Sequence, residues 1–160
     1  MANDNWMTPV WLLNHVRTFF GGSIDVDLFS SSEANLVVWA DRYGTPLSPI
    51  LSLDGASTVW ANPPYSRGNV DKCVDHFLGL MDDAPDTEGL ILVNAATSTR
   101  WQQRLFCEAS RVLIFKKRIS FLDANLEPSR GNRYDSLMFY FGKRTGAFGE
   151  AFADLGVVAR

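Results

Sequence analysis

Apolar residues recur along this chain with two periods, and the change from one period to the other marks its elements. Val10, Leu13, Val16 and Phe20 fall at helical spacing, and Gly21-Gly22 stops the run. Thr8 is placed to cap this helix, with Pro9 at its first position, where a missing N–H costs nothing. Ile24-Asp25-Val26-Asp27-Leu28 then alternates with period two and predicts a strand. The stretch 30–57 is irregular and interrupted by Pro46 and Pro49, with one short helix over 33–40. Thr58-Val59-Trp60-Ala61 is a short buried strand that stops at Asn62-Pro63-Pro64-Tyr65. Val70, Cys73, Val74, Phe77 and Met81 form a helical face; 89–93 is a second buried strand, and 98–109 a helix. Strands over 112–115, 119–121 and 136–141 follow, then a helix over 147–155 and a terminal strand at Val157-Val158.

Strands and helices alternate through the middle, and strands follow one another near the end. This predicts an α/β fold with a mostly parallel central sheet, helices on both faces and an antiparallel hairpin at one edge. No repeat or linker interrupts it, so residues 1–160 are expected to form one domain. In such sheets ligands bind beyond the carboxyl ends of the strands. Two polar sets are expected there: Asp25 with Asp27, and the tetrapeptide from Asn62 to Tyr65.

With 46% hydrophobic and 21% charged residues the chain is not disordered. It has no apolar run of membrane-spanning length. Residues 1–6 lack the basic and apolar regions of a secretory signal, and the cytoplasm is the expected location. Cys73 and Cys107 fit no metal spacing and are expected to be reduced and mostly buried. His15 and His76 have no partner at metal or triad spacing and read as structural.

The tetrapeptide carries the sharpest chemistry. Consecutive prolines have fixed φ and no N–H, so they end the strand in a stiff extended turn. The Asn62 side-chain carbonyl and the Pro63 backbone carbonyl can then serve as paired acceptors. They suit a planar amino group with two hydrogens to give. Accepting both localises the nitrogen lone pair, while Tyr65 stacks on the ring that carries the group. Placement and electrostatics suffice, and no strong base is needed.

This motif after a buried strand resembles that of the S-adenosylmethionine-dependent amino-methyltransferases. The wider pattern is similar to the small phage-type DNA adenine methyltransferases. The matching pieces are Trp6-Met7-Thr8-Pro9, Ile24-Asp25-Val26-Asp27, 59–66, Thr99-Arg100-Trp101, 115–121, 136–142 and Phe148-Gly149-Glu150-Ala151-Phe152. The resemblance implies a Rossmann-like methyltransferase fold and methylation of the exocyclic amino group of adenine in DNA. Asn62, Pro63, Pro64 and Tyr65 would hold the target base. Thr8, Pro9, Asp25, Asp27, Leu28 and Asn62 would line the cofactor site, with Asp25 nearest the cofactor's amino group. The usual glycine-rich cofactor loop is replaced by Leu28-Phe29-Ser30-Ser31-Ser32. A base inside a duplex cannot reach such a pocket, so the target must be flipped out or single-stranded. Rival readings are cytosine 4-amino methylation, methylation of RNA or of a protein glutamine, and a non-catalytic remnant that binds cofactor or nucleic acid.

Fifteen basic and eighteen acidic residues give a net charge of −3, which argues against a dedicated nucleic-acid scaffold. The basic residues are nevertheless concentrated late in the chain. Lys116, Lys117, Arg118, Arg130 and Arg133 are the expected phosphate contacts. Only the stretches 41–57 and 122–135 are free to read bases. The expectation is therefore a short target of about one to four base pairs, with Arg130, Asn132 or Arg133 among the base contacts.

Overall fold

The computed structural model describes residues 6–65 and 68–160. Ser66, the last residue of the motif stretch, and the first five residues lie outside them. The element order is α1 (Val10–Phe19), β1 (Ile24–Asp27), α2 (Ser32–Val38), β2 (Ala40–Tyr43), β3 (Thr58–Ala61), α3 (Asn69–Asp83), β4 (Glu88–Asn94), α4 (Arg100–Glu108), β5 (Arg111–Phe115), β6 (Ser136–Phe141), α5 (Thr145–Phe152) and β7 (Gly156–Ala159). The strands form one seven-stranded sheet in the order β2-β1-β3-β4-β6-β5-β7. β1 pairs in parallel with β2 and β3, and β3 with β4. β6 runs antiparallel to both β4 and β5, and β7 antiparallel to β5.

The expected mixture of parallel centre and antiparallel strands is present, but the edge hairpin takes another form. β6 inserts between β4 and β5, and 116–135 joins β5 to β6 as a long excursion. Residues 119–121 are not a strand. Their apolar side chains pack under that excursion, and the neighbouring Leu122 makes isolated bridges, to Met7 and to Pro128. β2 is absent from the sequence pattern: Ala40-Asp41-Arg42-Tyr43 is a short edge strand with one buried position, too little for an apolar signal.

Alternation within each strand sorts the core into two clusters. Trp60, Leu90, Leu92, Met138 and Tyr140 face α1, α2 and α5, where Leu12, Leu13, Val16, Phe19, Val38, Phe148 and Phe152 meet them. Val59, Ala61, Ile91, Val93, Leu137 and Phe139 face α3 and α4, against Val74, Phe77, Leu78, Trp101 and Leu105. Helices therefore cover both faces, as the continuous apolar strands require. Gly89 makes room for this packing, since a Cβ there would lie 2.8 Å from Met81 Sδ. Of the two thiols, Cys73 is partly buried and Cys107 is exposed, against the expectation of two buried ones. Among the described residues no helix is long and apolar enough to cross a membrane.

Phe148 ties α5 to the sheet. It is fully buried, stacks on Tyr140 at 5.0 Å and meets Phe19 edge-on at 5.8 Å. Phe148→Ala is expected to cost about 3–5 kcal/mol of stability, measurable by urea denaturation.

Candidate functional site

Register decides which side chains share an end of the sheet. Asp27 lies opposite Trp60 and Tyr43, Ala61 opposite Ile91, and Asn94 opposite Ser136. Phe115 lies opposite Gly156, and Ile114 opposite Leu137. The carboxyl ends of β1 to β5 thus form one rim with the amino ends of β6 and β7. Asn62–Tyr65 and the excursion 116–135 both leave from this rim. The start of α1 joins it through two backbone hydrogen bonds between Met7 and Leu122, of 2.9 and 2.8 Å.

Thr8 does not cap α1. Pro9 is the N-cap, in an extended conformation, and no side chain bonds the first helical amides. Thr8 stands one residue too far out, and its hydroxyl accepts a hydrogen bond from Asn62 Nδ2 at 3.1 Å. That bond orients the Asn62 amide and leaves its carbonyl oxygen as the free end. Asn62 Oδ1 is buried and accepts no hydrogen bond within the described residues. Leaving such an acceptor unmade costs about 1–3 kcal/mol, so its presence needs a reason. The stiff Pro63-Pro64 turn follows it. Tyr65 is then anchored by its hydroxyl, which donates to the Leu92 carbonyl at 3.2 Å and accepts from the Asn94 N–H at 2.9 Å. Desolvation pushes this phenol above its ordinary pKa, so it stays neutral.

Sequence reasoning missed three residues of this rim. Ser136 is buried, and its Oγ is the other unpartnered buried side-chain oxygen among the described residues. It neighbours Asn94 across the β4–β6 pair, and alternation puts both on the face covered by α1. Gln102 is wholly buried, donates to the Asn94 carbonyl at 2.8 Å and accepts from the Ala96 N–H at 2.7 Å, which fixes the turn after β4. None carries a motif, and the pairing of Asn94 with Ser136 becomes visible only with the register.

The two aspartates of β1 separate. Asp25 lies near the amino end, where its carboxylate accepts from the Ser57 and Thr58 amides at 2.6 and 3.2 Å. It secures the start of β3 and is not at the rim, contrary to the expected order. Asp27 is the last residue of β1 and is 2% exposed. Burial pushes its carboxyl up to about 7, while the Phe29 N–H and the Ser30 hydroxyl partly hold it down. No cation pairs with it within the described residues. Leu28 sends its side chain into the α3–α4 core. Gly44 closes the rim beside it, since a Cβ there would lie 2.6 Å from the Leu28 carbonyl oxygen.

The excursion 116–135 carries the basic residues. Lys116, Lys117, Arg118, Arg130 and Arg133 are all exposed on it, and Arg118 Nε pairs with Asp135 at 3.0 Å. Asn132 is engaged within its own loop. Its amide donates to the Ile119 carbonyl at 2.9 Å and accepts from the Tyr134 N–H at 3.0 Å, because it organises its own loop. Residues 121–129 fold back as a small hairpin: Leu122 bridges Pro128, and the Asp123 N–H donates to the Glu127 carbonyl at 2.9 Å. Leu126 at its tip has φ 63°, a left-handed conformation that costs a non-glycine residue on the order of 1 kcal/mol.

Residues 1–150 match the model of a family described as DNA N-6-adenine-methyltransferase (Dam). No curated protein and no solved structure gives a match.

Asp27 makes stability depend on pH. Its carboxyl binds a proton more tightly folded, near pH 7, than unfolded, near 3.8. Its contribution is fully present below the unfolded value and is lost as pH rises through about 7. Asp27→Asn should remove this loss and leave the protein more stable at pH 8 by a few kcal/mol, on the order set by the shift. Thermal melts at pH 5 and pH 8 on both proteins would check it; a parallel pH response would refute it.

Proposed function

The chain belongs to the DNA N-6-adenine-methyltransferase (Dam) family, and we propose that it transfers a methyl group from S-adenosylmethionine to the 6-amino group of an adenine flipped out of DNA. The observation that carries this reading is the buried, unspent carbonyl oxygen of Asn62, held in one orientation by Thr8. A peptide-like acceptor that meets no donor in its own chain suits a ligand bearing an N–H. The exocyclic amino group of adenine offers two. Asn62 Oδ1 takes one hydrogen and the Pro63 carbonyl the other, which concentrates the nitrogen lone pair on the open side. Tyr65, anchored to β4, supplies the stacking face. Because Asn62 Oδ1 is sealed from water, an incoming base must part the groups that cover it.

The cofactor supplies an activated methyl group when bound. Asp27 fits it: a buried carboxyl without a cationic partner, at the carboxyl end of β1, suits a ligand carrying ammonium and sulfonium charge. Thr8, Pro9 and the backbone at Leu28 complete that side. Asp25 supports β3 from below. The family's description names adenine N6, which favours adenine over cytosine. The intact Asn62–Tyr65 geometry favours an enzyme over a binding remnant. Lys116, Lys117, Arg130 and Arg133 hold phosphates, and Arg118 does so less, because Asp135 already engages it.

Asn62→Ala should lower kcat by about a hundredfold or more, with cofactor affinity by calorimetry nearly unchanged. Transfer of labelled methyl groups to DNA and mass analysis of its nucleosides measure the first; a wild-type rate would sink the assignment. Neutralising Lys116, Lys117, Arg130 and Arg133 together should weaken binding to all DNA sequences alike. The salt dependence of log K should flatten by about 0.9 for each phosphate that is no longer neutralised, and an unchanged slope would place the DNA elsewhere.

A further inference from the structure

The hairpin 121–129 ends in a turn with an unusual occupant. Asp123, Ala124, Asn125 and Leu126 form a tight turn in which the Leu126 N–H donates to the Asp123 carbonyl at 3.0 Å. The Asp123 carboxylate holds the turn from inside, accepting from the Asn125 and Glu127 amides at 2.8 and 3.1 Å. This is a three-residue hairpin loop, and its last position, in the left-handed region, is ordinarily glycine. Here it is leucine, at φ 63°. The side chain does not repay that conformation by packing, for it is 51% exposed. An apolar residue held in a strained conformation and turned to solvent suggests a role outside the fold.

Its position narrows that role. The hairpin stands on the rim that carries Asn62, and its base is tied there: Leu122 pairs with Met7, whose neighbour Thr8 holds Asn62. Exposed Arg130 and Arg133 follow it, and Lys116 and Lys117 stand where the excursion leaves β5. Of the acidic residues at the turn, Asp123 is spent on amides and Glu127 is exposed. An apolar tip on a stiff hairpin among phosphate-binding side chains suits a nucleic-acid stack.

We propose that Leu126 is the wedge that enters the DNA base stack and fills the gap left by the extruded adenine. The proposal rests on the base-flipping reading given above. An extruded base leaves two neighbours unstacked, and an apolar side chain inserted there offsets part of that loss. The turn's hydrogen bonds hold the leucine turned to solvent in the free protein, where it meets the duplex first. Because Leu126 acts on the opening of the duplex, the reacting atoms do not depend on it.

Leu126→Gly tests this directly, since glycine relieves the backbone and removes the wedge. The thermal midpoint should rise by a few degrees. Methylation should be compared on a duplex carrying a sequence that the wild type methylates and on the same strand unpaired. The duplex rate should fall by about tenfold or more while the unpaired strand stays within about twofold. Leu126→Met, which restores apolar bulk, should recover most of the duplex rate. A wild-type duplex rate in Leu126→Gly, or an equal loss on both substrates, would overturn the wedge and leave the methyltransferase reading standing. A wild-type protein that methylates neither DNA would overturn that reading and the wedge with it.

Discussion

A sheet covered on both faces leaves almost no place for polar chemistry except the ends of its strands. That constraint governs this molecule. The central strands are apolar on both sides, and their side chains are committed to two separate cores. Polar groups with anything left to offer are therefore pushed to the rim, where Asp27, Asn62, Asn94 and Ser136 stand. The site follows from the edge of a packing problem, and so its parts come from strands far apart in sequence.

Within that rim two buried oxygens, Asn62 Oδ1 and Ser136 Oγ, are left unspent while the groups around them are satisfied. Thr8 takes the Asn62 N–H, Tyr65 takes the Asn94 amide, and Gln102 takes the turn beyond β4. The first fixes the direction of the Asn62 amide, and the other two hold Tyr65 and the turn after β4 in place. The proline pair has no amide hydrogen to give. Preorganisation here consists largely of leaving an oriented oxygen without a local partner.

Among the described residues, the periodicity of apolar positions is enough to find α1, α3, α4 and α5 and every strand but β2, as well as the double-sided coverage. The motif's own stiffness places it at a strand end. What the pattern misses needs information about neighbours. β2 is an edge strand with one buried residue, so it carries no alternation to read. The stretch 119–121 is apolar because it packs beneath an excursion, and apolar content alone does not separate that from a strand. Asp25 and Asp27 look equivalent until the pairing with β3 shows which lies at the end. Thr8 reads as a helix cap from its neighbours, and only the distant Asn62 explains its hydroxyl. Ser136 and Asn94 become a pair only across an antiparallel register. The family resemblance, drawn from ordered motif pieces, agrees with the match over residues 1–150.

The insertion of β6 between β4 and β5 has a consequence for how the chain is made. β4 lies in the middle of the finished sheet, yet its second neighbour begins only at Ser136, after β5 has been made. During synthesis β1 to β4 can pair, but the outer edge of β4 stays open and apolar until β6 has left the ribosome. The same is true of the rim, since Met7 waits for Leu122. Such late, long-range closure is slow and leaves a sticky strand edge exposed meanwhile. This architecture therefore leaves the rim incomplete until the stretch from Leu122 to Phe141 has emerged, and makes the partly made chain its most aggregation-prone form.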